Sequence, residues 1–167
     1  MATDLISVDC VCRTPHAKKI KDISVMTNFN LIGKGTYGAV YRAMDTTQNG
    51  DWVALKMIKM EKETQGFPIT AIREIKFLKQ LKHENIVNLR DILSYSAEDD
   101  KSEAAKPEFG FLKGDVFMVL DYMDYDLSGL LESPGVELTE DHIRSYAKQL
   151  LEGVFFMHQK NVLHRDM

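Results

Sequence analysis

Three glycines, Gly33, Gly35 and Gly38, constrain most strongly what this chain can fold into. Glycine has no Cβ, so its backbone can approach a ligand closely or adopt a positive φ that other residues avoid. The residues around these glycines, NFNLIGKGTYGAVYRAMD, favour β structure, and an Asn49-Gly50 turn signal separates them from the strand-like run WVALKMIKM. The pattern predicts a glycine-rich hairpin joined by a turn to a third antiparallel strand.

The spacing Gly-x-Gly-x-x-Gly occurs in more than one kind of phosphate-binding site. In a dinucleotide-binding fold the glycines follow a strand and open a helix, whereas here they lead into the strand-like AVYRAMD. The stretch also lacks the Gly-Lys-Ser/Thr of a P-loop. The context disfavours a nicotinamide-dependent oxidoreductase and predicts a hairpin loop folded over nucleotide phosphates, although the glycines alone also fit an ordinary hairpin turn.

Lys56 is a charged residue in the middle of the apolar run WVALKMIKM. Burying an ammonium group is unfavourable unless an opposite charge or water compensates for the lost hydration. Glu74 lies in the following helical stretch, where it can face the sheet and pair with Lys56. Lys56 could instead extend to water, with Glu74 on the surface, but the order of glycine loop, lysine and glutamate favours one site formed by all three.

Two stretches have the apolar periodicity of helices. In GFPITAIREIKFLKQLKH, Pro68 suits the first helical turn. Apolar residues recur there at every third position, with Phe77 beside them: Ile69, Ile72, Ile75, Leu78 and Leu81. In LTEDHIRSYAKQLLEGVFFMHQKN, Thr139 is the predicted N-cap. The apolar face of this second helix is predicted to be continuous and to consist of Ile143, Tyr146, Ala147, Leu150, Leu151, Val154 and Phe155.

Composition divides the chain into three parts. Residues 1–24 show no sustained period and are predicted to be a flexible leader. Residues 25–123 carry the strands and the first helix, and they include a mostly charged surface insert at 95–114 that we expect to be mobile. Residues 124–167 begin a mainly helical region.

Charge and hydropathy argue against two classes of partner. The formal net charge of −4 gives no support for nucleic-acid binding. No segment approaches the run of about 18 apolar residues that a membrane helix needs. Cys10 and Cys12 have no second ligand pair at zinc-site spacing, so we interpret them as incidental thiols. We therefore predict no direct nucleic-acid partner, no membrane partner and no metal site within the chain.

The sequence HRD at residues 164–166 completes a set of motifs with the glycine loop, Lys56 and Glu74, and the set resembles the protein kinase family. GKGTYGAVYRA and PITAIRE are similar to motifs of the cyclin-dependent kinase group, and MDYDLSGLL is most similar to its transcription-associated members. The resemblance covers residues 25–167 apart from the insert. It implies an α+β fold in which a kinase N-lobe, an antiparallel sheet with one main helix, is followed by only the first helices of the C-lobe.

The resemblance implies an ATP site around Lys56. Lys56 would hold the α- and β-phosphates, Glu74 would orient it, and Asp166 would accept the proton of the substrate hydroxyl. The implied ATP-binding residues are Ile32, Gly33, Lys34, Gly35, Thr36, Tyr37, Gly38, Ala39, Val40, Ala54, Lys56, Leu120, Asp121, Met123 and Asp126. Among them Ile32, Val40 and Ala54 would pack on adenine, Leu120 would be the gatekeeper, residues 121–123 the hinge, and Asp126 would reach the ribose. Lys34 and Leu120 stand where the group commonly has glutamate and phenylalanine.

Further regulatory positions follow from the same resemblance. Thr36 and Tyr37 match inhibitory phosphorylation sites, where a phosphate would add about −1.5 to −2 charge beside ATP. Arg165 would bind an activating phosphate. The cyclin-docking residues would be those of the PITAIRE segment before its glutamate: Pro68, Ile69, Thr70, Ala71, Ile72 and Arg73.

Kinases hold Mg²⁺ through an asparagine in the catalytic loop and the aspartate of Asp-Phe-Gly. This sequence contains neither motif after Asp166, so we expect the Mg²⁺ ligands to lie beyond Met167 and the 167 residues to be a truncated catalytic domain, inactive alone. The expected function of the family member is ATP- and Mg²⁺-dependent phosphorylation of Ser/Thr-Pro sites, with a transcription-type cyclin, on the RNA polymerase II C-terminal repeat. The expected location is the nucleus, with the cytoplasm as a second location. The alternative is a non-catalytic cyclin-binding fragment.

Overall fold

The computed structural model describes residues 20–35, 38–58, 67–97, 103–105 and 109–165. Two short 3-10 turns, Ile23–Val25 and Glu103–Ala105, accompany six strands and three helices within these ranges. In chain order the strands and helices are β1 Lys21–Asp22, β2 Met26–Gly35, β3 Gly38–Asp45, β4 Asp51–Ile58, α1 Ile69–Gln80, β5 Leu89–Ser94, β6 Val116–Asp121, α2 Leu127–Glu132 and α3 Glu140–Gln159. The predicted α+β class, a small sheet with one main helix followed by helices, is confirmed.

The strands form one six-stranded sheet in the order β1-β5-β6-β4-β3-β2. All neighbouring strands are antiparallel except β1, which pairs in parallel with β5. Gly35 pairs with Gly38 at the end of the β2–β3 hairpin, and Gly38 adopts a φ of 134°, which favours glycine. Asn49 and Gly50 have positive φ in the turn before β4, as the Asn-Gly signal predicts.

The folded part of the chain includes residues that the sequence analysis assigned to the leader. Lys21 and Asp22 pair with Leu93 and Ser94, and Ile23 is fully buried. The boundary predicted at residue 25 therefore has to move toward the N-terminus. A two-residue strand is too short to show an alternating pattern, so periodicity could not reveal it. The rest of the predicted leader, residues 1–19, lies outside the described residues.

One face of the sheet, the outer face, is covered by part of the predicted insert. Its core is built from rings that we call the aromatic cluster, comprising Phe29, Tyr41, Tyr95, Phe109, Phe111 and Phe117. The ring centroids of Phe111 and Phe117 are 4.9 Å apart, and those of Phe111 and Tyr41 are 5.2 Å apart. The described aromatic residues of the insert thus lie in the core and not on the surface. Its expected mobility stays a prediction, and residues 98–102 and 106–108 lie outside the described residues.

The opposite face, the inner face, is covered by α1. Ala71, Ile75 and Leu78 of this helix pack against Val116 and Met118 of β6. The apolar stripe predicted for α1 is corrected in its first half, because Ile69 and Ile72 are exposed. Residues spaced by three advance 300° around a helix of 3.6 residues per turn, so a strict three-residue repeat drifts off one face within two turns. The helix is consequently apolar on two sides.

The long helix α3 begins as predicted. The Thr139 hydroxyl accepts a hydrogen bond from the His142 N–H, and the His142 ring nitrogen Nδ1 accepts one from the Thr139 N–H, both at 3.3 Å. The helix docks on the loop after α1 through an Asn85–Glu152 hydrogen bond of 3.1 Å and a His83–Phe156 ring contact of 4.9 Å. Most of its predicted apolar face is exposed to solvent, an arrangement that favours association. Across the described ranges, no helix has both the length and the apolar content needed to cross a membrane.

The aromatic cluster makes a stability prediction. Phe111→Ala removes a buried ring from contact with at least four others, so we expect the free energy of unfolding to fall by about 3–5 kcal/mol. Leu112→Ala is the matched control, because Leu112 is the next residue and is 70% exposed. Its effect should stay within about 0.5 kcal/mol. Urea unfolding monitored by circular dichroism measures both values, and equal effects of the two substitutions would contradict the structural role of the cluster.

Candidate functional site

Lys56 and Glu74 form an ion pair between the sheet and α1, as the sequence predicts. Lys56 Nζ lies 2.7 Å from Glu74 Oε1. The side chain of Lys56 is 27% exposed and that of Glu74 is 42% exposed, so solvent reaches the pair. One ammonium group has three donors, and a carboxylate uses only part of that capacity. The pair can therefore hold Lys56 in place while the ammonium also binds an anion from the solvent side.

The glycine hairpin lies in register with this lysine. Gly33 is opposite Val40 across β2 and β3, and Val40 is opposite Lys56 across β3 and β4. A Cβ built on Gly33 or Gly35 would meet no atom within 4 Å, so the packing of the chain does not require glycine at either position. Glycine there leaves the backbone open to close approach by a ligand, which is what a phosphate-binding loop needs.

Apolar positions of the predicted adenine site share the inner face with Lys56. Val40 is directly opposite Lys56, and Ala54 precedes Lys56 by two residues, so all three side chains leave the sheet on the same side. Leu120 is opposite Ala54 on β6 and packs on the inner core. Ile32 lies where the β2–β3 register shifts, and its side chain is exposed. A bulge re-aims a side chain, so Ile32 stands apart from the regular row.

Beyond Leu120 the chain leaves the sheet through the predicted hinge. Asp121 ends β6, Met123 is exposed, and Asp126 immediately precedes α2. The Asp126 carboxylate accepts a hydrogen bond of 2.6 Å from the Gly129 N–H, which makes this residue the N-cap of α2. The contact of Asp126 with a ribose stays a prediction, whereas its structural role as the N-cap of α2 is observed.

Several predicted site residues lie outside the described residues: Thr36, Tyr37 and Asp166. Their neighbours are described, and Arg165 adopts a φ of 69°, in the left-handed region. Within the described ranges, no group of three or more His, Cys, Asp or Glu side chains is arranged to hold a metal ion. Lys56 and the open glycine backbone fit a polyphosphate.

Sequence reasoning missed a group of side chains around the hinge. The guanidinium carbon of Arg42 lies 4.1 Å from the centre of the Trp52 ring and 5.6 Å from that of Tyr122. Arg90 contacts both Asp51 and Asp121. The available signals were an arginine inside strand β3 and the chain's single tryptophan at the start of β4. Neither signal identifies its partners, because those lie far apart in sequence.

The predicted docking residues on α1 do not share one face. Ile69, Thr70, Ile72 and Arg73 are exposed, whereas Ala71 is buried against the sheet. Pro68 is partly buried and precedes the first helical residue as the N-cap. The outward side of α1 can therefore contact a partner through four of the six residues, while Ala71 serves the core.

Comparison with known proteins places this arrangement in context. Residues 26–167 match the protein kinase domain family. The chain is 46% identical over 147 residues to the cyclin-dependent kinase C-2 of Arabidopsis thaliana, covering 88% of the chain and 28% of that protein. It is 52% identical over 136 residues to the cyclin-dependent kinase 12 of Drosophila melanogaster, covering 81% of the chain and 11% of that protein.

A third relative is the probable cyclin-dependent kinase 9 of Schizosaccharomyces pombe, 46% identical over 147 residues that cover 86% of the chain. The match covers 23% of that protein. The chain thus spans 28% or less of the length of these three curated relatives.

The geometry around Lys56 predicts how the site responds to a polyphosphate. Lys56→Met removes a charge-assisted contact of about 1.5–3 kcal/mol, which corresponds to a dissociation constant for inorganic tripolyphosphate raised roughly 10- to 100-fold. Isothermal titration calorimetry measures this constant. Lys148→Met is the control, because Lys148 lies on α3, where it forms an exposed ion pair with Glu152. An equal loss of affinity in both variants would show that tripolyphosphate binds by general charge and not at Lys56.

Proposed function

The chain belongs to the protein kinase family, and from this premise we propose that it forms the ATP-binding part of a cyclin-dependent serine/threonine kinase. The observation that carries the proposal is the 2.7 Å ion pair between Lys56 and Glu74 beside a glycine hairpin whose backbone is open to a ligand. The relatives named as cyclin-dependent kinases support the subgroup.

In this proposal different residues of the inner face bind different parts of the ATP molecule. Lys56 binds the α- and β-phosphates and Glu74 keeps its ammonium group in place, while the backbone N–H groups of residues 33–40 contact phosphate oxygens. Val40, Ala54 and Leu120 line the adenine side. The backbone of residues 121–123 offers adenine its hydrogen bonds. Each group acts by position and charge, which is how phosphoryl transfer is mainly catalysed.

The substrate hydroxyl is assigned to Asp166. As a carboxylate it orients the serine or threonine and accepts its proton. Arg165 is proposed to bind an activating phosphate, and phosphorylation of Thr36 or Tyr37 is proposed to weaken ATP binding by charge repulsion. When bound, Mg²⁺ would neutralise developing charge on the phosphates.

The finer assignment concerns substrate and location. We propose Ser/Thr-Pro sites of the RNA polymerase II C-terminal repeat as substrate, a transcription-type cyclin as partner and the nucleus as location. The motifs PITAIRE and MDYDLSGLL support this assignment. Similarity to the cyclin-dependent kinase 12 of Drosophila melanogaster and to the probable cyclin-dependent kinase 9 of Schizosaccharomyces pombe supports it as well.

The activity proposal predicts a difference between two polypeptides. The 167-residue chain with cyclin, ATP and Mg²⁺ should give no phosphorylated Ser-Pro peptide above background, because its sequence contains neither the catalytic-loop asparagine nor Asp-Phe-Gly. A version extended to supply both motifs and an activation loop should phosphorylate the peptide, and Lys56→Met in that version should abolish most of the activity. Phosphate transfer from labelled ATP is the measurement. Turnover by the 167-residue chain would refute its predicted inactivity, and a silent extended version would refute the kinase assignment.

A second candidate function, cyclin binding without catalysis, is favoured by one observation. Ile69, Thr70, Ile72 and Arg73 form an exposed surface on the outward side of α1. Exposed branched apolar residues beside a charged residue are typical of interfaces, whose buried centres are apolar and whose rims are polar. This surface does not depend on Asp166 or on metal ligands, so a polypeptide without catalytic activity could still use it.

The docking surface makes its own prediction. Ile72→Asp places a charge within the proposed interface, where desolvation without a partner is costly, so cyclin binding should weaken at least roughly 10-fold. Ile143→Asp is the matched control, because Ile143 on α3 is 55% exposed and Ile72 is 51% exposed. Surface plasmon resonance against a transcription-type cyclin compares the two. If both substitutions weaken binding alike, or neither does, α1 is not the docking site.

A further inference from the structure

We propose that Arg42 and Arg90 are positioning residues that hold residues 121–123 in the conformation that presents their backbone to adenine. This inference rests on the proposed function, since it deepens the assignment of that segment as the adenine-binding hinge. Among the described residues, Arg42 stacks on Trp52 and Tyr122, and Arg90 pairs with Asp51 and Asp121. Their contribution is to fix the hinge before the nucleotide arrives.

Arg90 joins three strand ends at one edge of the sheet. Its Nε donates to Asp121 Oδ1 at 2.5 Å, and its Nη1 donates to Asp51 Oδ2 at 3.3 Å. These residues lie at the end of β6 and the start of β4, while Arg90 lies near the start of β5. The hydrogen bond to Asp121 raises the pKa of the Arg90 guanidinium, so the group stays charged throughout the ordinary pH range.

Asp121 is also held through its backbone. Its N–H donates to the Asn88 carbonyl oxygen at 3.2 Å, and its carboxylate oxygen Oδ2 accepts from the Asn88 N–H at 3.2 Å. One carboxylate oxygen thus binds Arg90 and the other binds the chain before β5. The first residue of the predicted hinge is fixed by both its side chain and its main chain.

Arg42 holds the next residue by stacking. Its guanidinium lies over the rings of Trp52 and Tyr122, so β3, β4 and the hinge meet at one cation. The Nε of Arg42 is buried and, among the described residues, has no hydrogen-bond partner. Contact with the two ring faces is therefore what compensates for burying this part of the side chain. Arg42 is opposite Ala54, which in turn is opposite Leu120, so the stack borders the predicted adenine site.

The two arginines act on adjacent residues, Asp121 and Tyr122, and Met123 follows them in an exposed position. A hinge that is ordered beforehand loses less conformational freedom when adenine binds. If about one residue of the hinge is no longer held in a single conformation, it has to be ordered when adenosine binds. The entropy cost of ordering it corresponds to a loss of adenosine affinity of roughly 10-fold. The loss should affect adenosine and not a ligand that binds only at Lys56.

The experiment measures the dissociation constants of two ligands, adenosine and inorganic tripolyphosphate, for the 167-residue chain and its variants. We expect Arg42→Met and Arg90→Met each to raise the dissociation constant for adenosine roughly 10-fold, with that for inorganic tripolyphosphate changed less than about 2-fold. Equilibrium dialysis gives both constants. Arg144→Met is the control, because Arg144 pairs with Glu140 and Asp141 on the surface of α3, and it should change neither constant. Equal losses for adenosine and tripolyphosphate would overturn the positioning role.

A second readout needs no ligand. Hydrogen exchange of the amides of residues 122 and 123 should be faster in Arg42→Met and Arg90→Met than in the parent chain, and unchanged in Arg144→Met. Fluorescence of Trp52, the single tryptophan, reports on the Arg42 stack, and thermal unfolding reports on the fold. Should either methionine variant unfold, Arg42→Lys and Arg90→Lys replace it, since each keeps the charge but loses the planar fork.

The outcomes separate this inference from the proposed function. If the parent chain binds tripolyphosphate but not adenosine, the ATP-site assignment fails, and hydrogen exchange alone decides whether the arginines order the hinge. If adenosine binds and exchange at residues 122 and 123 is the same in all folded variants, the inference is overturned while the ATP site stands. Faster exchange together with a selective loss of adenosine affinity supports both.

Discussion

The 2.7 Å ion pair between Lys56 and Glu74 is the contact on which the functional geometry depends. Both side chains are partly exposed, so water screens the attraction, and such pairs add only about 0–1 kcal/mol to stability. The pair therefore contributes little to the stability of the fold, and its main effect is to position the Lys56 ammonium group and α1. It places an ammonium group at the open side of a glycine hairpin and fixes the rotation of α1 relative to the sheet. The apolar contacts of Ala71, Ile75 and Leu78 supply the stability that the ion pair does not.

The two faces of the sheet differ in how completely they are covered, and this difference separates a structural face from an accessible one. The outer face is closed by the aromatic cluster, in which residues before and after the central strands interlock. The inner face is covered by α1 over only part of its area, and Val40, Ala54 and Lys56 remain partly exposed there. A rigid layer behind a partly open one is what a binding site on a sheet requires. The buried rings keep the strands in register while the inner face stays accessible.

Local patterns were predictable from the sequence, whereas long-range partners were not. The glycine hairpin, the Asn49-Gly50 turn and the cap at Thr139 are set by neighbouring residues, and each appears where the sequence predicts it. The Lys56–Glu74 pair could be anticipated because an unpaired lysine in an apolar strand is costly. The aromatic cluster joins residues as distant as Phe29 and Phe111, and no local period encodes such a contact. The same holds for Arg42 with Tyr122 and for Arg90 with Asp51.

Exposure alone does not distinguish a docking surface from a helix face that lacks its neighbours. Ile72 on α1 and Ile143 on α3 expose comparable fractions of their side chains, yet only α1 is joined directly to Lys56. Two residues along a helix correspond to 200° of rotation, so Ile72 points outward where Glu74 points to the sheet. A partner that presses on the outward side of α1 can therefore move Glu74 and with it the ammonium group of Lys56. α3 contacts the rest of the fold through the loop carrying His83 and Asn85. Direct connection to Lys56, and not exposed apolar area, is the physical reason for proposing α1 as the docking surface.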